Sequence, residues 1–215
     1  MSNLFYYIGI DPGLGGAYSV LTENESKIID AKVFGVPIIK TKATKTAKAK
    51  NEYNIGEIAN NLKCYQGCKV IACLEQVSAM PGQGTVSMFH FGEGFGIWKG
   101  IIGTLGFDLR LVRPSTWKSF WPDQLLKKIE KPEILKLKTV EVNKLSAEGR
   151  KKYKEAKKEH KNSLDAAKKL AKDHARELAT LLYPELGESF KLKKDDGKAE
   201  AILIAEYIRR NLNVN

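Results

Sequence analysis

Five carboxylates carry the chemical interest of this sequence. Near its C-terminus, KKDDGKAEAILIAEYIRR sets Asp195, Asp196 and Glu200 around the start of an amphipathic segment. Acids in a first helical turn satisfy free N–H groups and suit the positive end of the helix dipole, which explains each of them singly. Asp196 and Glu200, however, are four residues apart and share a helix face, where like charges repel by about 0.2–0.5 kcal/mol. Capping does not need that arrangement, whereas a divalent metal does. Two more acids end apolar runs, Asp11 in YYIGID and Glu75 in VIACLE. An Asp before Pro-Gly is a common turn residue, but nothing local asks for a carboxylate after VIACL.

Carboxylates that pack together raise one another's pKa and destabilise a fold unless a cation neutralises them. Mg²⁺ is the natural candidate, since it takes octahedral oxygen coordination from a few carboxylates, water and phosphate oxygens. Two such ions about 3.5–4 Å apart activate water and stabilise a leaving oxygen in phosphodiester hydrolysis. That chemistry needs no side-chain nucleophile. His90, His160 and His174 lie in unlike contexts and suggest no catalytic relay, and Cys64, Cys68 and Cys73 have no fourth soft ligand at zinc-like spacing.

The elements that must position these acids are legible as patterns. The 215 residues, 43% hydrophobic, suit one domain over 1–215 with its own core. YYIGID and AYSVL are β-rich runs joined by PGLGG, and KIIDAKVFGVPI reads as a third strand, giving an antiparallel meander. NIGEIANNLKCYQ has helical spacing after Asn54, and CKVIACLEQV is a buried strand. TVSMFHFGEGFGIWKGIIGTLG reads as a helix with Gly92, Gly96, Gly100 and Gly103 on one face, where close approach to another backbone is expected to offset the lost propensity. FDLRLV is a fifth strand ending before Pro114, and SLDAAKKLAKDHARELATLLYPEL is a long helix stopping near Pro184. The expected fold is α/β: an RNase H-like mixed five-stranded sheet flanked by helices.

Residues 122–162 stand apart as a basic, helical, weakly apolar insertion. A DNA-contacting arm and a solvated, salt-bridged hairpin are equally good readings, because Glu141, Glu148, Glu155 and Glu159 partly offset the lysines. A net charge of +11 favours a polyanionic partner. No apolar run approaches the roughly 20 residues that span a bilayer, and the N-terminus lacks the features of a signal peptide, so a cytoplasmic protein is expected.

If the first and fourth strands are sheet neighbours, Asp11 and Glu75 meet at their C-terminal ends, and the last helix lays Asp195, Asp196 and Glu200 beside them. IGIDPGLGGAYSV, LEQV and DDGKAEAILIA, in this order and spread over nearly the whole chain, resemble the RuvC-type Holliday junction resolvases. EQVSAMPGQG and RPSTWK are most similar to the branch found in phages and some bacterial genomes. The resemblance implies a homodimer, two Mg²⁺ or Mn²⁺ ions per active site, and paired nicks across a four-way DNA junction. By it Asp11 is the first-strand acid bridging both metals, Glu75 the fourth-strand acid, and Glu200 the final acid. The remaining acid is either Asp195 or Asp196, because the bacterial spacing of three would fall on Gly197.

Two further departures concern DNA. The family's aromatic wedge is replaced by Ser78, with Met80, Phe89 and Phe91 as substitutes that are also ordinary core residues. Lys118 in RPSTWK is placed to reach a phosphate, with Arg113 beside it, and Lys168, Lys169 and Lys172 are placed to track phosphates or to form a solvated face. Competing readings are an RNase H-like nuclease acting on RNA/DNA hybrid or RNA, a non-catalytic junction-binding protein, and a sugar-kinase or actin-like ATPase. For the last, the phosphate-loop likeness of DPGLGG is offset by the short chain.

Overall fold

The computed structural model describes residues 4–43, 49–78, 84–121 and 139–212. The strands are β1 (Leu4–Asp11), β2 (Ala17–Asn24), β3 (Lys27–Gly35), β4 (Ile38–Lys40), β5 (Asn51–Tyr53), β6 (Lys69–Glu75) and β7 (Asp108–Val112). The helices are α1 (Ile55–Lys63), α2 (Thr85–Thr104), α3 (Pro114–Phe120), α4 (Thr139–Lys144), α5 (Ala147–Leu182) and α6 (Asp196–Leu212), with 3-10 turns at Pro184–Phe190 and Lys193–Asp195.

One five-stranded sheet has the order β3-β2-β1-β6-β7. The β1–β2 and β2–β3 pairs are antiparallel, and β1–β6 and β6–β7 are parallel, so the sheet is mixed and the meander expected of the first three strands is present. Alternation along each strand sends successive side chains to opposite faces. Tyr7, Leu21, Cys73 and Val112 join one core with α5 and α6. Ile8, Ile10, Val20, Ala72 and Leu74 join another with α1 and α2. Helices therefore cover both faces.

This alternation decides where the acids point. Asp11 lies on the Tyr7 side of β1 and Glu75 on the Cys73 side of β6, so both face the layer that contains α6. That layer approaches closely. A Cβ on Gly9 would stand 2.1 Å from Ala201 O and 2.4 Å from Ala205 N, and Ser19 Oγ donates to Ala201 O at 2.9 Å. Glycine at 9 lets the helix backbone rest on the strand, and Ser19 fixes its height.

Several expectations need correction. The run KIIDAKVFGVPI is not one strand: β3 stops at Gly35, and β4 pairs with β5 in a separate two-stranded sheet. The long helix does not begin near Ser163. It starts at Ala147, capped by Ser146 Oγ accepting from Gly149 N at 3.1 Å, and runs for 36 residues, about 54 Å at helical rise. The second part of the basic segment 122–162 is thus continuous with a helix packed on the core, while 122–138 lies outside the described residues. Cβ atoms on Gly92, Gly96, Gly100 and Gly103 would meet nothing within 4 Å, so that face makes no close approach to the other described residues. The close approach in α2 falls at Gly94 instead, where a Cβ would lie 2.2 Å from the Tyr53 hydroxyl and 2.7 Å from Pro12 O. Tyr53 itself donates to Pro12 O at 2.9 Å and pins the turn that follows Asp11.

Candidate active site

The parallel register pairs Ile10 with Leu74, so Asp11 and Glu75 emerge side by side at the ends of neighbouring strands. Glu75 is in turn paired with Val112 of β7, and Pro114 at the first position of α3 starts a helix at once. That short path carries Trp117 and Lys118 over the acids. The Trp117 indole N–H donates to Glu75 Oε1 at 2.8 Å, and Lys118 Nζ lies 2.8 Å from Glu200 Oε1 on α6. The Lys118 ammonium also sits 4.8 Å from the Trp117 ring centroid.

Electrostatics tie the three carboxylates into one cluster. Burial, then the charges of Glu200 and Glu75, push the Asp11 carboxyl up from 3.8 to about 7, against the opposing Gly13 N–H and Lys118. Burial also raises Glu75, with Glu200 adding to the rise and the Trp117 hydrogen bond and Lys118 opposing it. At Lys118 desolvation acts downward, but Glu200 and the other two acids outweigh it and the pKa is raised. Among the described residues, no three Asp, Glu, His or Cys side chains form a ready-made metal cage.

The last helix reaches the cluster because glycine meets glycine. A Cβ on Gly197 would lie 2.8 Å from Gly16 Cα, and one on Gly16 would lie 2.3 Å from Asp11 O and 2.9 Å from its Cγ. A longer side chain at position 197 would drive α6 off the Asp11 turn. This accounts physically for glycine at position 197.

Asp195 and Asp196 are engaged elsewhere. Asp195 is buried, accepts from Leu192 N at 3.1 Å and from Lys198 Nζ at 3.2 Å, and so closes the 3-10 turn before α6. Asp196 accepts from Lys172 Nζ and pairs with Arg176 Nε, both at 3.1 Å. Neither is among the main causes of the shift at Asp11. The structure therefore brings together Asp11, Glu75 and Glu200.

Among the basic candidates, Lys118 is inside the cluster and Lys172 is tied to Asp196. Arg113 and Lys168 are exposed, and Lys169 is exposed on the rim of a groove of about 710 Å³ that also takes in Arg176, Lys191 and Lys193. Phe89 and Phe91 are exposed on α2 and not buried in the core, and Met80 lies outside the described residues. Sequence reasoning missed Trp117 as the partner of Glu75. Its signal was the spacing of RPSTWK, which puts an indole one helical turn beyond a strand paired with the strand of Glu75.

No family model matches the chain. No curated protein matches it either. Among solved structures, T. thermophilus RuvC in complex with Holliday junction substrate aligns with a TM-score of 0.34 and 13% identity, over 58% of this chain and 70% of that one. That likeness is distant, and the chemistry of the site is read from its own geometry. Among the described residues, no helix is long and apolar enough to cross a membrane.

Proposed function

We propose that this chain is a metal-dependent, structure-selective DNA endonuclease of the RuvC type that resolves four-way junctions and related branched DNA by paired nicks. The observation that carries the proposal is the meeting of Asp11, Glu75 and Glu200 on one face of the sheet, each perturbing or perturbed by another. A net charge of +11 adds a polyanionic partner. The three sequence motifs resemble those of that family, and the elements that carry them meet at this cluster.

The donor set suits a hard divalent cation, being all carboxylate oxygen, with burial and neighbouring charge raising the proton affinity of Asp11 and Glu75. Asp11, Glu75 and Glu200 would hold Mg²⁺, or Mn²⁺ in its place. When bound, two such ions supply water activation and stabilisation of the departing 3′ oxygen. The remaining tasks belong to the protein. Trp117 orients the Glu75 carboxylate, Gly16 and Gly197 set the depth of α6 against the Asp11 turn, and Lys118 balances negative charge until phosphate arrives. Asp195 and Asp196 hold the start of α6 in place. The exposed lysines of α5 face the phosphate backbone. Paired nicks across a two-fold junction require two such sites, so a homodimer working on DNA inside the cell belongs to the proposal.

The test is a panel of end-labelled substrates in Mg²⁺: four-way junction, linear duplex and RNA/DNA hybrid. Symmetric nicks on the junction alone support the proposal. Cutting of the hybrid moves the protein to another RNase H-like activity, and junction binding without cutting in either Mg²⁺ or Mn²⁺ leaves a non-catalytic junction binder.

A further inference from the structure

Lys118 stands in an unusual place for a phosphate-tracking lysine. Its Nζ is 2.8 Å from Glu200 Oε1, in a cluster whose other members, Asp11 and Glu75, also feel its charge. The ammonium is held from two sides, by the carboxylate and by the Trp117 ring 4.8 Å away. The Glu200 side chain is 16% exposed and that of Lys118 is 35% exposed, so the pair lies at the mouth of the cluster, where a long, flexible side chain can leave without unpacking the core.

We propose that Lys118 is a tethered counter-ion that occupies Glu200 in the metal-free protein and must release it before a divalent cation can bind. This inference rests on reading the three acids as a metal site. Three carboxylates with no cation repel one another, and Lys118 relieves that repulsion at the cost of metal affinity. With Glu200 turned to a cation, the Lys118 ammonium would be free at the edge of the site to meet a phosphate oxygen. Metal and DNA then favour each other's binding by linkage, because each is better accommodated once Lys118 has moved. Lys118 is in this sense a positioning residue, acting through Glu200 on the metal.

The experiment is a calorimetric titration of DNA-free protein with MnCl₂, so that no turnover is read. It compares wild type, Lys118→Met, Lys118→Gln and Lys118→Arg, each with and without Asp11→Asn. The Met variant keeps the apolar stem over Trp117, and Gln provides a second neutral side chain. Loss of the positive charge is expected to tighten Mn²⁺ binding by roughly tenfold or more, the scale of one charge-assisted hydrogen bond. Lys118→Arg, which keeps the charge, stays near wild type, and Asp11→Asn removes the heat in every background. If wild type binds Mn²⁺ and the neutral variants bind equally or more weakly, the counter-ion role is overturned while the metal site stands. If wild type and both neutral variants bind none, the metal site itself is wrong, and this inference falls with it.

Discussion

The Trp117 indole N–H donates to Glu75 Oε1 at 2.8 Å across 42 residues of sequence. One oxygen of Glu75 is thereby committed and the carboxylate has a fixed plane. Outer hydrogen bonds of this kind set the orientation of metal ligands, and their loss typically costs about 10–100-fold in metal affinity or activity. Trp117→Phe keeps a ring in this buried position but removes the donor. Junction cleavage is expected to fall by about that factor, while circular dichroism stays native. Full activity in a folded variant would show that Glu75 needs no such partner.

Asp11 gives a pH signature to the metal-free protein. Its folded pKa of about 7 exceeds the free value of 3.8, so between them the folded state holds a proton that the unfolded chain has lost. Stability contributed by that proton is full below the lower value and lost as pH rises through the upper one. Glu75 shifts in the same direction. Thermal melts in EDTA are expected to drop between about pH 4 and about pH 7 and to level off above, and Asp11→Asn to flatten much of that drop, by up to ~4 kcal/mol. Parallel pH profiles for wild type and variant would refute the assignment.

The missing Cβ of Gly197 lets α6 touch Gly16. Gly197→Asp is therefore expected to destabilise by about 1–3 kcal/mol through backbone displacement, despite better helix propensity. In a chain of this size that lowers the melting temperature by about 2–4 °C per kcal/mol. An unchanged or raised melting temperature would mean that α6 does not rest on the Asp11 turn at Gly16.

Lys168 and Lys169 are exposed, whereas Lys172 is tied to Asp196. If the first two meet phosphates, each alanine variant should weaken junction binding about equally for all sequences and reduce the slope of log K against log salt by about 1. Lys172→Ala is expected to change the slope less. Unchanged slopes for Lys168→Ala and Lys169→Ala would move the DNA path to another face.

What the sequence made visible follows from how local each signal is. An acid that ends an apolar run stands out, so Asp11 and Glu75 were legible, as was their adjacency once the strand order was inferred. Glu200, Asp195 and Asp196 look alike on paper, because each opens the same helix. Packing distinguishes them: Asp195 closes a local ion pair with Lys198 and Asp196 pairs with Lys172 and Arg176 of α5, whereas Glu200 faces the sheet ends. The Lys118–Glu200 pair spans 82 residues and no local pattern announces it. The start of α5 was missed, although Ser146 can cap a helix, because the lysine density around it masked the helical period. The open glycine face of α2 shows the converse limit, since spacing reveals a stripe and not what lies opposite.

The central claim is that the Asp11–Glu75–Glu200 cluster cuts DNA and does not merely stabilise the fold. Its most direct test is a pair of measurements on one labelled four-way junction, binding in EDTA and cleavage in Mg²⁺, for wild type and Asp11→Asn. The expected result is symmetric nicking by wild type, no nicking by the variant, and junction affinity in the variant equal to or higher than wild type, because one repelling carboxylate has been neutralised. Equal cleavage by both proteins, or loss of binding together with cleavage in the variant, would contradict it.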